Sequence, residues 1–450
     1  EDLREYYHAF EVNRERELRN ALSLEFPPDQ VSHLSCFTAD LWNAPAVTPC
    51  LSTLAMGDCR AVSFGQTSHL SVILQHSSLT LSNFLSLSGK PPRTGVTAGL
   101  LIDDFILLDR VDASTAPGAG PAAAFMQQVH KGYEVAGLPR HAGKSVAGAR
   151  CAEFWGGTLD GNAGSVRPNL KRTVPLAGLL LKTVGGRRVS VKLLEVLAGG
   201  LVSAFQVRRR LLCLLSAIYS EQGDKDSSRD SFDASPKLLE ELLCCVAVLP
   251  QADIDLRAPA APLVVASDAS SSAEAAVYCP VSPELSLELT RHGLEKGLWN
   301  RLLKPLPALL RARGQLPASE ELPGETYVSR PLWDEICQSH RFKMFGRVVR
   351  TQKARRINIG ELRAAIRAEE RVALLHPGCR YLHLQDSQVS LACLVKGRSS
   401  SESINAELRR SLAGHLSSRV RPFFGYIHTS LNPADDPTRG VPVRQPTMPV

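Results

Sequence analysis

Leu100-Leu101-Ile102-Asp103-Asp104-Phe105-Ile106-Leu107-Leu108 sets two adjacent acids between two apolar runs. Each run has the length and composition of a buried strand, so the segment predicts a hairpin with two carboxylates at its tip. A tight hairpin turn favours Asn-Gly or Asp-Gly, and this one has no glycine. Carboxylates beside a core are costly unless a cation neutralises them. The tip therefore reads either as a solvated turn or as part of a cation site.

The chain's 450 residues correspond to about three ordinary domains. Its 44% apolar and 22% charged residues exclude wholesale disorder. Lys and Arg number 52 against 45 Asp and Glu, a net charge of +7 that permits an anionic partner without requiring one. No run of about 18 uncharged apolar residues occurs, which predicts no membrane-spanning helix. The opening Glu1-Asp2-Leu3-Arg4-Glu5 is charged where a signal peptide is apolar, so an intracellular setting, cytoplasm or nucleus, is expected. The 11 Cys are scattered without a C-x-x-C, and the 12 His lack metal-ligand spacing. Free thiols and no zinc site are expected.

Residues 221–236 are Ser/Asp-rich and read as a loop, and the three prolines of 250–262 read as an extended linker. Between them and the hairpin, Leu176 to Tyr219 is Leu-rich and basic with helical spacing. Beyond the linker, Leu263 to Ala266 predicts a buried strand, 359–375 a helix, 380–385 a strand and 387–396 a helix, an α/β alternation.

Five segments in the first 160 residues resemble, in order, the palm motifs of reverse transcriptases. They are Asp2 to Phe10, Leu54-Ala55-Met56-Gly57-Asp58, Ile102-Asp103-Asp104, Gly137-Leu138-Pro139 through Lys144-Ser145, and Glu153-Phe154-Trp155-Gly156-Gly157. The resemblance implies that Asp2, Asp103 and Asp104 are catalytic and hold two Mg²⁺ or Mn²⁺ ions for nucleotide addition. It implies that Tyr7 screens the sugar of the incoming dNTP, Gly57 turns the chain beneath the template and Lys144 aids the leaving pyrophosphate. Leu101 stands where the family carries Tyr, and Ala55 and Met56 where it carries Pro and Gln. The chain starts at the first palm motif and lacks an initiator Met, which implies a fragment without fingers and a weak or inactive polymerase.

Four further acids follow a second family order. Val264 to Ser270 carries Asp268, Asn358 to Arg363 carries Glu361, Leu384 to Gln388 carries Asp386, and Asn432-Pro433-Ala434-Asp435-Asp436-Pro437-Thr438-Arg439 carries Asp435. Each alone reads as a capping or surface acid. Together they resemble the ribonuclease H domain of retrotransposons, closest to the DIRS-like elements with a tyrosine recombinase. That resemblance implies that Asp268, Glu361, Asp386 and Asp435 hold two Mg²⁺ or Mn²⁺ ions and cut the RNA strand of an RNA–DNA hybrid. An insertion at about 285–355 separates the first two acids.

Residues 341–356 hold seven Lys/Arg and no acid, which suggests a groove following phosphates through Arg341, Lys343, Arg347, Arg350, Lys353, Arg355 and Arg356. Arg208, Arg209 and Arg210 are expected to grip a primer–template duplex. The expected fold class is α/β and α+β: a palm over 1–165, a thumb-like helical unit over 166–225, a connection over 226–260 and a ribonuclease H-like domain over 261–445. The implied partners are RNA template, DNA primer, RNA–DNA hybrid, dNTP and other segments of a polyprotein, with no membrane. Two alternatives stay open: a decayed, non-catalytic nucleic-acid binder, or a ribonuclease H alone.

Overall fold

The apolar runs around Asp103 and Asp104 pair as the hairpin foretold. The computed structural model describes residues 1–450 except 59, 87–88, 113, 224–229, 295, 299–325, 351–355 and 450. Its two compact units are Glu1–Arg150 and Cys151–Val450. In the first, helix α1 (Ala61–His76), strands β1 (Val96–Leu101) and β2 (Asp104–Asp109) and helix α2 (Ala122–Val135) surround a core of Ile73, Ala98, Phe105, Val129 and Tyr133. β1 and β2 run antiparallel from Val96↔Asp109 to Leu101↔Asp104.

The turn between them replaces the missing glycine with side-chain support. Ile102 takes a left-handed φ of +57°, strained for a β-branched residue. Its N–H donates to Gln66 Oε1 at 2.7 Å, and its carbonyl accepts from His69 Nδ1 at 2.6 Å. Tyr133 donates its hydroxyl to His69 Nε2 at 2.7 Å, and burial pushes His69 down to about 4, so the ring stays neutral. Two helices thus hold a turn that local sequence disfavours.

The second unit begins with an antiparallel sheet of β3 (Cys151–Phe154), β4 (Gly157–Asp160), β5 (Ser165–Pro168) and, at its far edge, the later β6 (Ile254–Asp255). Between β5 and β6 lie α3 (Leu170–Gly186), α4 (Val191–Phe205), α5 (Ser216–Gly223) and α6 (Pro236–Val248). Side chains of Asn169, Ser190 and Ser235 cap α3, α4 and α6. The Pro-rich 250–262, expected as an extended linker, is tied into this sheet: Ile254 pairs with Val166 and Asp255 with Ser165, and Arg257 donates to the carbonyls of Gly161 and Asn162.

β7 (Ala260–Ala269) and β8 (Ala273–Pro280) open the C-terminal sheet, followed by α7 (Pro283–Thr290), α8 (Pro331–Ser339) and the short edge strands β9 (Lys343–Met344) and β10 (Val349–Arg350). α9 (Ile357–Leu375), β11 (Arg380–Gln385), α10 (Gln388–Lys396), α11 (Glu402–Arg410), α12 (Leu412–Ser418) and β12 (Arg421–Tyr426) complete it. The order is β9-β8-β7-β11-β12, with β8 antiparallel to β7, and β11 and β12 parallel to it. This is an α/β arrangement built on a mixed sheet. Part of the stretch 285–355 is integral to it, since β9 and β10 both pair with β8. Alternate residues of β7 bury both faces, Val264 and Ala266 toward Leu289 and Trp333, Leu263 and Val265 toward Ala368 and Val372.

The helices α3–α6 and α9–α12 share one apolar core that includes Leu194, Leu201, Leu242, Leu362, Leu391 and Leu408. A buried ion cluster crosses it. Arg210 donates to Glu369 Oε2 at 2.9 Å and Ser411 Oγ at 3.0 Å, and His415 Nδ1 lies 2.6 Å from Glu369 Oε1. Burial works against the Glu369 charge, but Arg210 and His415 outweigh it and hold the carboxyl well below its usual range. Arg208 is buried too and donates to the carbonyls of His415 and Gln251. This corrects the expectation for Arg208 and Arg210, which neutralise and tie internal groups instead of facing a duplex. Glu369→Gln should lower unfolding free energy by about 3–5 kcal/mol in denaturant titration, because Arg210 is left with an uncompensated buried charge. A loss below about 1 kcal/mol would show that the cluster contributes little.

Candidate metal centre

Register brings the C-terminal acids together. β7 and β11 are parallel with Ala266 beside Leu384, so Asp268 and Asp386, each two residues further on, end up level. α9 then crosses the strand ends with Glu361 near its start. Gly360 allows the close approach, since a Cβ there would sit 3.1 Å from the Ala269 methyl. Asp268, Glu361 and Asp386 each offer a ligand oxygen within 4.8 Å of the others, and among the described residues no other trio of potential ligands does so. Asp435, on the short helix Asp435–Thr438, lines the same cleft of about 340 Å³ together with Ser270, Thr429 and Arg439.

These carboxylates raise one another. Burial and then Asp386 push Asp268 up to about 7, and burial followed by Asp268 and Asp386 pushes Glu361 up to about 9. Asp386 is raised by burial, against hydrogen bonds from Thr429 and Asn432 that favour its charge. Thr438 donates to Asp268 Oδ2 at 2.9 Å, whereas Glu361 Oε2 is buried with no hydrogen-bond partner. An orphaned oxygen facing two further carboxylates fits a divalent cation, and an all-oxygen donor set fits hard Mg²⁺ or Mn²⁺. The adjacent Asp436 is engaged otherwise, by Arg444 at 2.7 and 2.8 Å. Asn432 and Thr438, both within the Asn-Pro-Ala-Asp-Asp-Pro-Thr-Arg segment, contact the acids directly, and nothing local in that segment marks them apart from its acids.

In the first unit, Glu1 to Leu3 run antiparallel beside β2. Phe105 N–H donates to Glu1 O at 2.9 Å, Leu3 N–H to Asp103 O at 3.3 Å, and Asp2 bridges Asp104. Asp103 is raised first by burial and then by Asp2; Asp104 by burial, Asp103 and Asp2. The exposed Lys144 pairs with Asp2 Oδ2 at 2.7 Å. Tyr7 is half-buried beside Gly65 of α1, and Gly57 sits in an exposed turn at φ +99°.

Of the basic residues, Arg209, Arg341, Lys343, Arg347, Arg350 and Arg356 are exposed, while Lys353 and Arg355 lie outside the described residues. Arg350 pairs with Ala273, near the strand end that carries Asp268, and Lys343 pairs with Tyr278 at the other end of β8. The interleaved Phe342 and Phe345 are core residues.

Among solved structures the chain is similar to the foamy viral protease-reverse transcriptase in complex with dsDNA, at TM-score 0.40 and 12% identity over 95% of this chain and 67% of that one. The same viral protein in complex with RNA/DNA hybrid gives 0.39 and 12% over 96% and 65%. Its dRH form with ds DNA gives 0.39 and 11% over 94% and 56%. The chain thus spans about 56–67% of the length of these proteins. No family model matches, and no curated protein matches. Among the described residues no helix is long and apolar enough to cross a membrane.

The raised carboxyls predict a pH signature. Folded Asp268 and Glu361 retain protons that the unfolded chain releases above about pH 4, so metal-free stability should fall from pH 5 to pH 8.5. Mg²⁺ should raise Tm more at pH 8 than at pH 5, where protons already neutralise the cluster. Glu361→Gln should raise the metal-free Tm at pH 8 by a few degrees and flatten this slope in circular-dichroism melts with chelator. An unchanged slope would place the pH dependence elsewhere.

Proposed function

We propose that this chain is the reverse transcriptase–ribonuclease H region of a retroelement, of the DIRS-like type, and that its C-terminal domain hydrolyses the RNA strand of RNA–DNA hybrids. The observation that carries the reading is the convergence of Asp268, Glu361 and Asp386 within 4.8 Å on a ribonuclease H-like sheet. These three, with Asp435 on the same cleft, would hold two Mg²⁺ or Mn²⁺ ions, which supply charge neutralisation and a polarised water for phosphodiester hydrolysis. The protein's own part is positional. Thr438 orients Asp268, Asn432 orients Asp386, and Arg439 pairs with Asp435 at 2.9 Å. Arg350 and Arg356 give the hybrid's phosphates a basic border near the acids. The ribonuclease-only reading is favoured by one contrast: the N-terminal acids do not draw as close as this trio.

Polymerase activity is the second part of the proposal. It is supported by Asp2 lying against Asp104, with Lys144 at hand and Tyr7 beside α1, an arrangement suited to a primer, an RNA template and a dNTP.

A labelled RNA–DNA hybrid with Mg²⁺ tests the first part. Wild-type chain should cut the RNA strand, and Asp268→Asn or Asp386→Asn should reduce the rate by at least about 10³-fold. Cleavage that survives both substitutions would defeat the site assignment, and an inert wild type with intact hybrid binding would favour a non-catalytic binder. Primer extension compared with Asp103→Asn tests the second: extension insensitive to that change would remove the palm acids from the chemistry.

A further inference from the structure

Asn432 is fully buried, which is costly for an amide unless its polar atoms are satisfied. Here they are, and by the residues that frame the cleft. Nδ2 donates to Asp386 Oδ1 at 3.2 Å and to the Ser267 carbonyl at 3.2 Å, while Oδ1 accepts the Ala434 N–H at 3.0 Å. The opposite amide orientation would set an oxygen against two oxygens and an NH₂ against an N–H, so the partners fix the assignment. One side chain therefore touches Asp386 itself, the residue before Asp268 and the residue before Asp435. These positions come from β7, the end of β11 and the C-terminal helix.

We propose that Asn432 is a positioning residue that sets the spacing of the metal-holding carboxylates, an inference that rests on the nuclease reading of this cleft. The Asn432 amide N–H donates to one oxygen of Asp386 and fixes the direction of that carboxylate, beside a second hydrogen bond from Thr429. Bonds to Ser267 and Ala434 tie Asp268 and Asp435 to the same amide. The neighbouring Gln385 extends the support beneath α9, donating to Ser267 Oγ at 3.1 Å and to the Glu361 carbonyl at 3.3 Å. Replacing the amide by an equal-sized carboxylate keeps the shape and turns both donors into acceptors facing Asp386 and the Ser267 carbonyl.

The test is Mn²⁺ binding to the full chain by electron paramagnetic resonance, paired with Mg²⁺ titration of hybrid cleavage. Asn432→Asp should bind Mn²⁺ about 10–100-fold more weakly than wild type, the scale for groups that orient metal ligands. Its cleavage should recover as Mg²⁺ is raised, with KM for the hybrid unchanged. Asn432→Ser, which keeps a single shorter donor, should fall between, and it serves as the reporter if Asn432→Asp does not fold. Asp436→Asn, on the same short helix as Asp435, releases Arg444 and should lower Tm and leave Mn²⁺ affinity unchanged. Wild-type Mn²⁺ affinity in the folded Asn432 variants, or a wild-type chain that takes up no Mn²⁺, would overturn the inference. Weakened Mn²⁺ binding with no hybrid cleavage by wild type would retain it and defeat the nuclease reading instead.

Discussion

Three carboxylates from positions 268, 361 and 386 repel one another at the end of one sheet, and much of the second unit's architecture works against that repulsion. Parallel register of β7 and β11 sets two of them level. A glycine lets α9 close onto the strand end, and Gln385 and Asn432 bind the backbone around the acids. Behind α9, the apolar core shared with the preceding helices and the Arg210–Glu369–His415 cluster hold the helix from its other side. Without that anchoring, α9 would be free to relieve the strain by carrying Glu361 out to solvent.

Glu361 and Glu369 make an internal comparison. They lie eight residues apart on α9, about 12 Å along its axis, and both are buried. Glu369 has Arg210 and His415 built against it and stays ionised, far below its usual range. Glu361 is raised by burial and by Asp268, Asp386 and Asp435, keeps an unpartnered oxygen and is pushed up to about 9. One helix thus carries a carboxylate with counter-charges built against it and one surrounded, among the described residues, by acids that raise it. That difference in charged surroundings, and not burial, sets the two carboxylates apart.

Much of this was legible in the sequence where a local pattern settles the outcome. Alternation marked 380–385 as a strand and helical period marked 359–375, and the observed elements are Arg380–Gln385 and Ile357–Leu375. The acid order 268, 361, 386, 435 pointed to residues that line one cleft. What was not legible depended on distant partners. Arg208-Arg209-Arg210 has the composition of a phosphate groove, and the buried Glu369 that claims Arg210 lies 159 residues away. Prolines made 250–262 look like a linker, because nothing local announces that Ser165 and Val166 offer a strand edge. The Ile102 turn broke the glycine rule because Gln66 and His69, from another helix, carry its backbone.

The two acid clusters answer the same electrostatic problem differently. Asp2, Asp103 and Asp104 are only part-buried, and the exposed Lys144 donates to Asp2, so solvent screening and a cationic side chain share the neutralisation. Asp268 and Glu361 lie at 5% and 8% exposure, where screening is weak and each unmatched charge costs more. Burial therefore leaves the charges of the C-terminal cluster less screened than those of the N-terminal one. It also explains why positioning amides and hydroxyls, Asn432, Gln385 and Thr438, gather beneath that cluster: in a dry site a carboxylate keeps its charge and direction only through donors fixed in advance.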